Sequence, residues 1–172
     1  FCTWDGDDIA ERSFKTFNDL QHVVLMFSTE QKHISSSKAH ELVRTSEGFD
    51  KRQEAVEERY HALVSAFETG DWQSVHKLVW ADFIEMHRLF HTSKPSFTYC
   101  TPKVKRALEF LQNWWDNHDD GPLVTMDAGS NIHLFFRVDQ LYERKRLLGH
   151  FADVPMLFGT PVQEGMHTAI TY

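Results

Sequence analysis

The chain has 172 residues, of which 41% are hydrophobic and 25% charged, the make-up of a globular domain rather than a disordered segment. Its length accommodates one domain, or one domain with a piece of another. A net charge of −7 argues against nucleic acid, since phosphate binding needs a concentrated basic face, and no window approaches the roughly 20 apolar residues of a membrane span.

Cys2 and Cys100 make neither a disulfide framework nor a metal-spacing motif and read as reduced thiols of a cytoplasmic protein. The start, Phe1-Cys-Thr-Trp-Asp-Gly-Asp-Asp, shows no Met, no basic leader and no apolar signal core. This is compatible with processing, or with a chain that is the latter part of a longer polypeptide.

In chain order, Phe14, Phe17 and Leu20 follow an acidic start at helix-compatible spacing. The apolar run from His22 to Ser28 predicts a buried strand. Ser35-Ser36-Ser37 then offers a helix N-cap ahead of Ala39, Leu42 and Val43. Hydroxyls beside free N–H groups at a helix start also suit an anion, although a plain cap is the commoner use. Asp50, with Gln53 in capping-box spacing, predicts a helix whose stripe is Val56, Tyr60, Leu63 and Phe67. Gly70 ends it and Asp71 starts another, with Val75, Leu78, Val79, Phe83, Met86 and Phe90 inward, so the two form an antiparallel pair. His87 and His91 lie four apart, a spacing that suits a metal. No Glu follows His87 and no third ligand is evident, so the expectation is no metal site.

Lys94-Pro95-Ser96 reads as a loop, and Thr101-Pro102 opens a helix with Val104, Leu108, Leu111 and Trp115 buried. Asn117 to Pro122 is a turn. Leu123 to Met126 is too short and β-rich for a helix, and it leads into Asp127-Ala-Gly129-Ser-Asn131. Beyond, Ile132, Leu134 and Phe136 share one face of a second strand, with His133 and Phe135 on the other. Asp127 thus stands at a strand end beside a Gly that permits φ > 0 or a close ligand approach. Two readings stay open here: an Asx-turn, or a carboxylate placed for proton chemistry. Asp139 to Leu148 predicts a basic amphipathic helix with Arg144, Lys145 and Arg146 on a solvated face. Residues 153–172 read equally as strands or loops. A strand, several helices, a strand pair and a helix predict an α+β domain, with helices covering one face of an antiparallel sheet.

Thr125-Met-Asp127-Ala-Gly129-Ser-Asn131 resembles the Asp-Ala-Gly-Pro-Asn signature of the mevalonate diphosphate decarboxylases of the GHMP kinase superfamily. Further stretches match in the same order. Trp4-Asp5-Gly6 is similar to the segment after that family's Ser-Arg motif. Ile34-Ser35-Ser36-Ser37 resembles its Ser-rich helix start, and Arg44-Thr45-Ser46 its Thr-Ser segment. Met86-His87 is similar to its Met-His pair, and Pro95-Ser96-Phe97-Thr98-Tyr99 to its Pro-Pro-Phe-Thr-Tyr. The matches run from about Trp4 to Phe136.

The resemblance implies the GHMP C-terminal-like domain over residues 34–172. Residues 1–33 would be the tail of a preceding nucleotide-binding domain and a connecting strand. It implies an ATP-dependent decarboxylase acting on mevalonate 5-diphosphate to make isopentenyl diphosphate for isoprenoid synthesis. Asp127 would be catalytic and Ser36 and Ser35 would contact the substrate, while Gly129 and Asn131 shape the turn. ATP and Mg2+ would be bound mainly outside this chain, by the N-terminal half, and a homodimer is implied. Three departures stand out: Ser130 replaces the usual Pro, Ser37-Lys38 stands where some members have Arg-Asp, and no Gly-rich phosphate loop is present. The alternatives are a decarboxylase or 3-kinase for mevalonate or its monophosphate, or a non-catalytic interaction domain that kept the fold.

Overall fold

The computed structural model describes residues 2–5, 8–11, 14, 16, 17, 19–27, 33–153 and 162–165. Strands β1 (Cys2–Asp5) and β2 (Asp8–Glu11) form an antiparallel pair of their own. The principal sheet contains β3 (Leu20–Leu25), β4 (Leu123–Met126), β5 (Ile132–Arg137) and β6 (Val162–Gly165) in the order β4-β5-β3-β6, antiparallel throughout. β3, from the 1–33 stretch, is therefore an interior strand of the same sheet as β4 and β5.

Helices are α1 (Ser36–Leu42), α2 (Phe49–Thr69), α3 (Trp72–Thr92), α4 (Pro102–His118) and α5 (Leu141–Asp153). The alternation of β5 is realised as expected: Ile132, Leu134 and Phe136 are fully buried. With Val23, Leu25, Val124 and Met126 they meet Val104, Leu108 and Leu111 of α4 and Leu147 and Phe151 of α5 in one cluster. Residues of the opposite sheet face, Leu123, Leu20 and Phe135, pack with Phe14, Phe17, Phe67, Trp72 and Val75 in a second cluster. No described helix is long and apolar enough to cross a membrane.

Local chemistry explains most boundaries. Ser35 caps α1 by accepting the Lys38 N–H at 3.2 Å. Asp71 caps α3 by accepting the Ser74 N–H at 3.0 Å, and Thr101 caps α4 by accepting the Val104 N–H at 3.3 Å, with Pro102 in the first turn. Gly70 ends α2 with φ of 76°, the left-handed conformation that favours glycine.

Other expectations are corrected. Phe14 and Phe17 do not lie in a helix. Phe14 stacks on Phe67 at 5.0 Å and Phe17 tilts against Trp72 at 4.9 Å, while Leu20 opens β3. Burial of those rings outweighs helix periodicity. The expected strand from His22 runs instead from Leu20 to Leu25, and Ser28 lies outside the described residues. Asp50 does not cap α2: Gly48 holds the N-cap position and Asp50 lies in the first turn. The Gln53 side chain is outside the described residues. The α2 stripe is buried at Phe67 but exposed at Val56, where α2 borders a shallow groove also lined by Tyr60, Leu63, Leu78 and Val79. The basic face of α5 is solvated at Lys145 and Arg146, as expected, with Arg146 also 5.1 Å from the Trp114 ring centroid, whereas Arg144 is half-buried. Of the tail, 162–165 form β6, and the rest beyond Asp153 lies outside the described residues.

Two buried polar groups hold the elements together. Gln140, 1% exposed, donates to Asp120 Oδ1 at 2.7 Å and to the Gly121 carbonyl at 2.9 Å, while its Oε1 accepts the Arg137 N–H at 2.8 Å. Trp72 Nε1–H also donates to the Gly121 carbonyl, at 2.8 Å. The turn before β4 is thereby tied both to the start of α3 and to the end of β5. Gln140→Leu should lower stability by about 2 kcal/mol, because polar groups are left buried without partners. Urea unfolding checks this as a lower midpoint at unchanged slope.

His76 of α3, 5% exposed, stacks on Trp115 at 3.8 Å. Burial holds its pKa down at about 4, a hydrogen bond with the Pro122 carbonyl opposing the shift, against 6.5 ordinarily. Between those values the unfolded chain binds the extra proton, so stability rises with pH across this window and is lost as pH falls through it. The contribution is roughly 3 kcal/mol. His76→Phe should flatten the stability profile between about pH 4 and 6.5, read by urea unfolding at stepped pH.

Candidate active site

At the end of β4 the chain leaves the sheet at Asp127, which is exposed, and turns through buried Gly129 to re-enter at Ile132. The turn closes on the backbone: the Gly129 N–H donates to the Asp127 carbonyl at 2.8 Å. Gly129 is buried and is not left-handed; the described glycine with positive φ is Gly70. Asn131 anchors the far side, its Oδ1 accepting the Phe27 N–H just past β3 at 3.0 Å.

A third bond reaches the turn from α3. His87 Nε2 lies 3.0 Å from the Asp127 carbonyl oxygen. A carbonyl only accepts, so the imidazole carries its proton on Nε2. His87 is 5% exposed, and its Nδ1 is buried with no hydrogen-bond partner among the described residues. Burial pushes the His87 pKa down, opposed by the Asp127 carbonyl bond and the Asp127 charge.

The Ser-rich helix start borders the same ground. Ala128 and Ile34 both pack against a third cluster made by Ala39, Val43, Leu89, Phe90 and Tyr99. Tyr99 Oη–H donates to the Ile34 carbonyl at 2.8 Å, fixing the chain one residue before Ser35. Burial, then the Asp127 charge, push the Tyr99 pKa up. The Tyr99 ring lies 6.3 Å from that of His87, which in turn bonds the Asp127 carbonyl. Ser35 and Ser36 are both exposed, and the Ser35 hydroxyl serves as the α1 cap.

His87 and His91 do not form a metal pair: His87 is turned to the Asp127 carbonyl, and His91 is exposed. Among the described residues no group of three or more His, Cys, Asp or Glu could hold a metal ion. Several cations are engaged with carboxylates. Lys38 meets Glu41 at 2.7 Å; Arg52 and Arg59 both bridge Asp82 and Glu85 at 2.6–3.1 Å; Arg137 meets Asp120 and Asp139 at 3.0 Å.

The structure thus brings Asp127, Gly129 and Asn131 into one braced turn, with the Ser35–Ser36 start on the same cluster. His87 and Tyr99 were absent from the sequence-based site. The available signals were their places in the Met86-His87 and Pro95–Tyr99 stretches that resemble the family, and the inward position of His87 on α3, where a polar ring needs a partner.

Residues 22–165 match the family described as the mevalonate 5-diphosphate decarboxylase C-terminal domain. No curated protein matches by sequence. Among solved structures, a mevalonate diphosphate decarboxylase from Legionella pneumophila is similar at a TM-score of 0.83 and 35% identity, over 94% of this chain and 50% of that one. A mevalonate pyrophosphate decarboxylase from Streptococcus pyogenes gives 0.76 and 22%, over 95% and 49%. A third structure, MDDEF in complex with MVAPP, AMPPCP and magnesium, gives 0.69 and 23%, over 77% and 41%. The last two, at such identities, speak for the fold alone. The chain spans about half the length of these solved relatives. The α+β arrangement is accordingly the GHMP-kinase C-terminal-like fold, and the chain belongs to the mevalonate 5-diphosphate decarboxylase family, matching its C-terminal domain.

Proposed function

We propose that the chain is the C-terminal portion of an ATP-dependent mevalonate 5-diphosphate decarboxylase. In this reading the intact protein phosphorylates the tertiary 3-hydroxyl and releases phosphate and carbon dioxide to leave isopentenyl diphosphate. The observation that carries the proposal is the exposed carboxylate of Asp127, set on a turn tied to α3 through the Asp127 carbonyl and to Phe27, just past β3, through the Asn131 side chain.

A tertiary alcohol is a poor nucleophile, so a carboxylate held beside it raises its reactivity by taking or orienting its proton. Asp127 fills that role. The Ser36 hydroxyl, exposed at the start of α1, bonds the substrate near its carboxylate and hydroxyl. Ser35 uses its oxygen as a cap and so offers its O–H to a ligand. Gly129 and Asn131 keep the turn in shape.

ATP and magnesium do not fit a site on the described residues. No metal-holding cluster exists among them, and the eight glycines of the chain are dispersed rather than gathered in a phosphate loop. The N-terminal half of the protein holds those groups in this reading, with residues 1–33 as its tail and connecting strand. The MDDEF complex with AMPPCP, an ATP analogue, and magnesium supports a nucleotide and a metal in the intact protein. A cytoplasmic homodimer is the assembly proposed.

Asp127→Ala in the protein carrying both halves should cut kcat by about 10³-fold or more while the melting temperature holds. Near-normal turnover would sink the assignment. Ser36→Ala should raise KM for the substrate about tenfold, the worth of one hydrogen bond, with kcat little changed. A second reading, in which the substrate is mevalonate or its monophosphate, is favoured by the pairing of Lys38, the cation that follows the serines in the chain, with Glu41. Turnover measured on all three substrates separates the two readings.

A further inference from the structure

We infer that His87 is a positioning residue for Asp127: its Nε2–H, delivered from α3, fixes the plane of the Asp127 peptide and so the direction in which the carboxylate leaves the backbone. The inference rests on the reading of Asp127 as proton acceptor.

The Asp127 carbonyl accepts two N–H groups of unequal value for this purpose. The Gly129 N–H is two residues away and moves with the turn. The His87 N–H comes from 40 residues earlier, on a helix of 21 residues packed against β4. Of these two, only the second ties the Asp127 carbonyl itself to the body of the domain, while Asn131 ties the far side of the turn to Phe27. The carbonyl and Cβ leave bonded backbone atoms, so holding the carbonyl direction restricts ψ and leaves the carboxylate only its own side-chain torsions.

The imidazole is itself held. Edge contacts with Phe83, Phe90 and Tyr99, at ring separations of 6.3, 5.1 and 6.3 Å, enclose it. Its Nδ1 is buried with no hydrogen-bond partner among the described residues. A ring serving only to fill this space would carry that desolvation penalty for nothing, since Leu or Met fills a similar volume without it. What the imidazole supplies and they do not is one N–H at Nε2.

The test is steady-state kinetics on the protein carrying both halves, comparing wild type, His87→Leu, His87→Gln and Asp127→Ala. His87→Leu should lower kcat about 10- to 100-fold, the scale of a small misplacement of a reacting group, with KM within about twofold. Gln carries an amide N–H near the Nε2 position, so His87→Gln should recover kcat to within about threefold of wild type. Equal kcat loss in Leu and Gln variants, or a change in KM without one in kcat, would reduce His87 to a packing residue and overturn the inference. Should His87→Leu fail to fold, ¹⁵N NMR of the wild-type imidazole at pH 7 decides: a proton on Nε2 supports the inference, and a proton on Nδ1 overturns it. Full turnover in Asp127→Ala is a different failure, since it removes the functional reading on which the inference rests.

Discussion

The pairing of β3 with β5 is the constraint on which the rest of this domain depends. It joins Leu20 to Arg137 and Leu25 to Ile132, closing more than a hundred residues of intervening chain. Because side chains alternate with period two, this register puts Val23, Leu25, Ile132, Leu134 and Phe136 on one face, all fully buried. A slip of one residue would turn that apolar set towards the opposite face. On the other side of β5, the pairing of Met126 with Ile132 fixes where β4 ends, and so where Asp127 emerges.

Helix α3 carries that geometry to the site. It packs beside β4, contributes Trp72 and Val75 to one core cluster and Phe83 to another, and presents two buried imidazoles. His76 serves the packing end of the helix, stacked on Trp115. His87 serves the other end, bonded to the turn that holds Asp127. Tyr99 adds the link to Ile34 and the start of α1. Two stretches that are 90 residues apart in the chain, around Ser36 and around Asp127, are thus bordered by one cluster of side chains. Rigid elements and buried polar bonds, rather than loop stiffness alone, place the exposed carboxylate.

Much of this was legible in the sequence, and the misses have physical causes. The antiparallel pair α2–α3, the Pro-led α4 and the alternation of β5 each follow from a local signal: a glycine stop, a cap, a proline or a period; the turn expected from Asn117 begins only at Asp119, because α4 runs on to His118. Phe14 and Phe17 mimicked a helix because aromatic burial leaves the same spacing as helical periodicity. Asp50 mimicked a cap because capping depends on where the helix begins, and α2 begins one residue before it. Val56 was read as inward, yet a helix on the flank of a domain buries only part of its stripe.

Residue types and their order sufficed for the α+β class, for the strand-end carboxylate at Asp127 and for the serine cap at Ser35, because each depends on neighbours within a few residues. They also sufficed for the family, through ordered motifs that the match over residues 22–165 bears out. Which groups meet across the fold was decided only by the tertiary structure. Nothing local tells His87 that its partner is the Asp127 carbonyl, or Tyr99 that its hydroxyl ends on Ile34. Those bonds form because the β3–β5 register and the packing of α3 bring distant backbone groups to within 3.0 Å of buried side chains that must be satisfied.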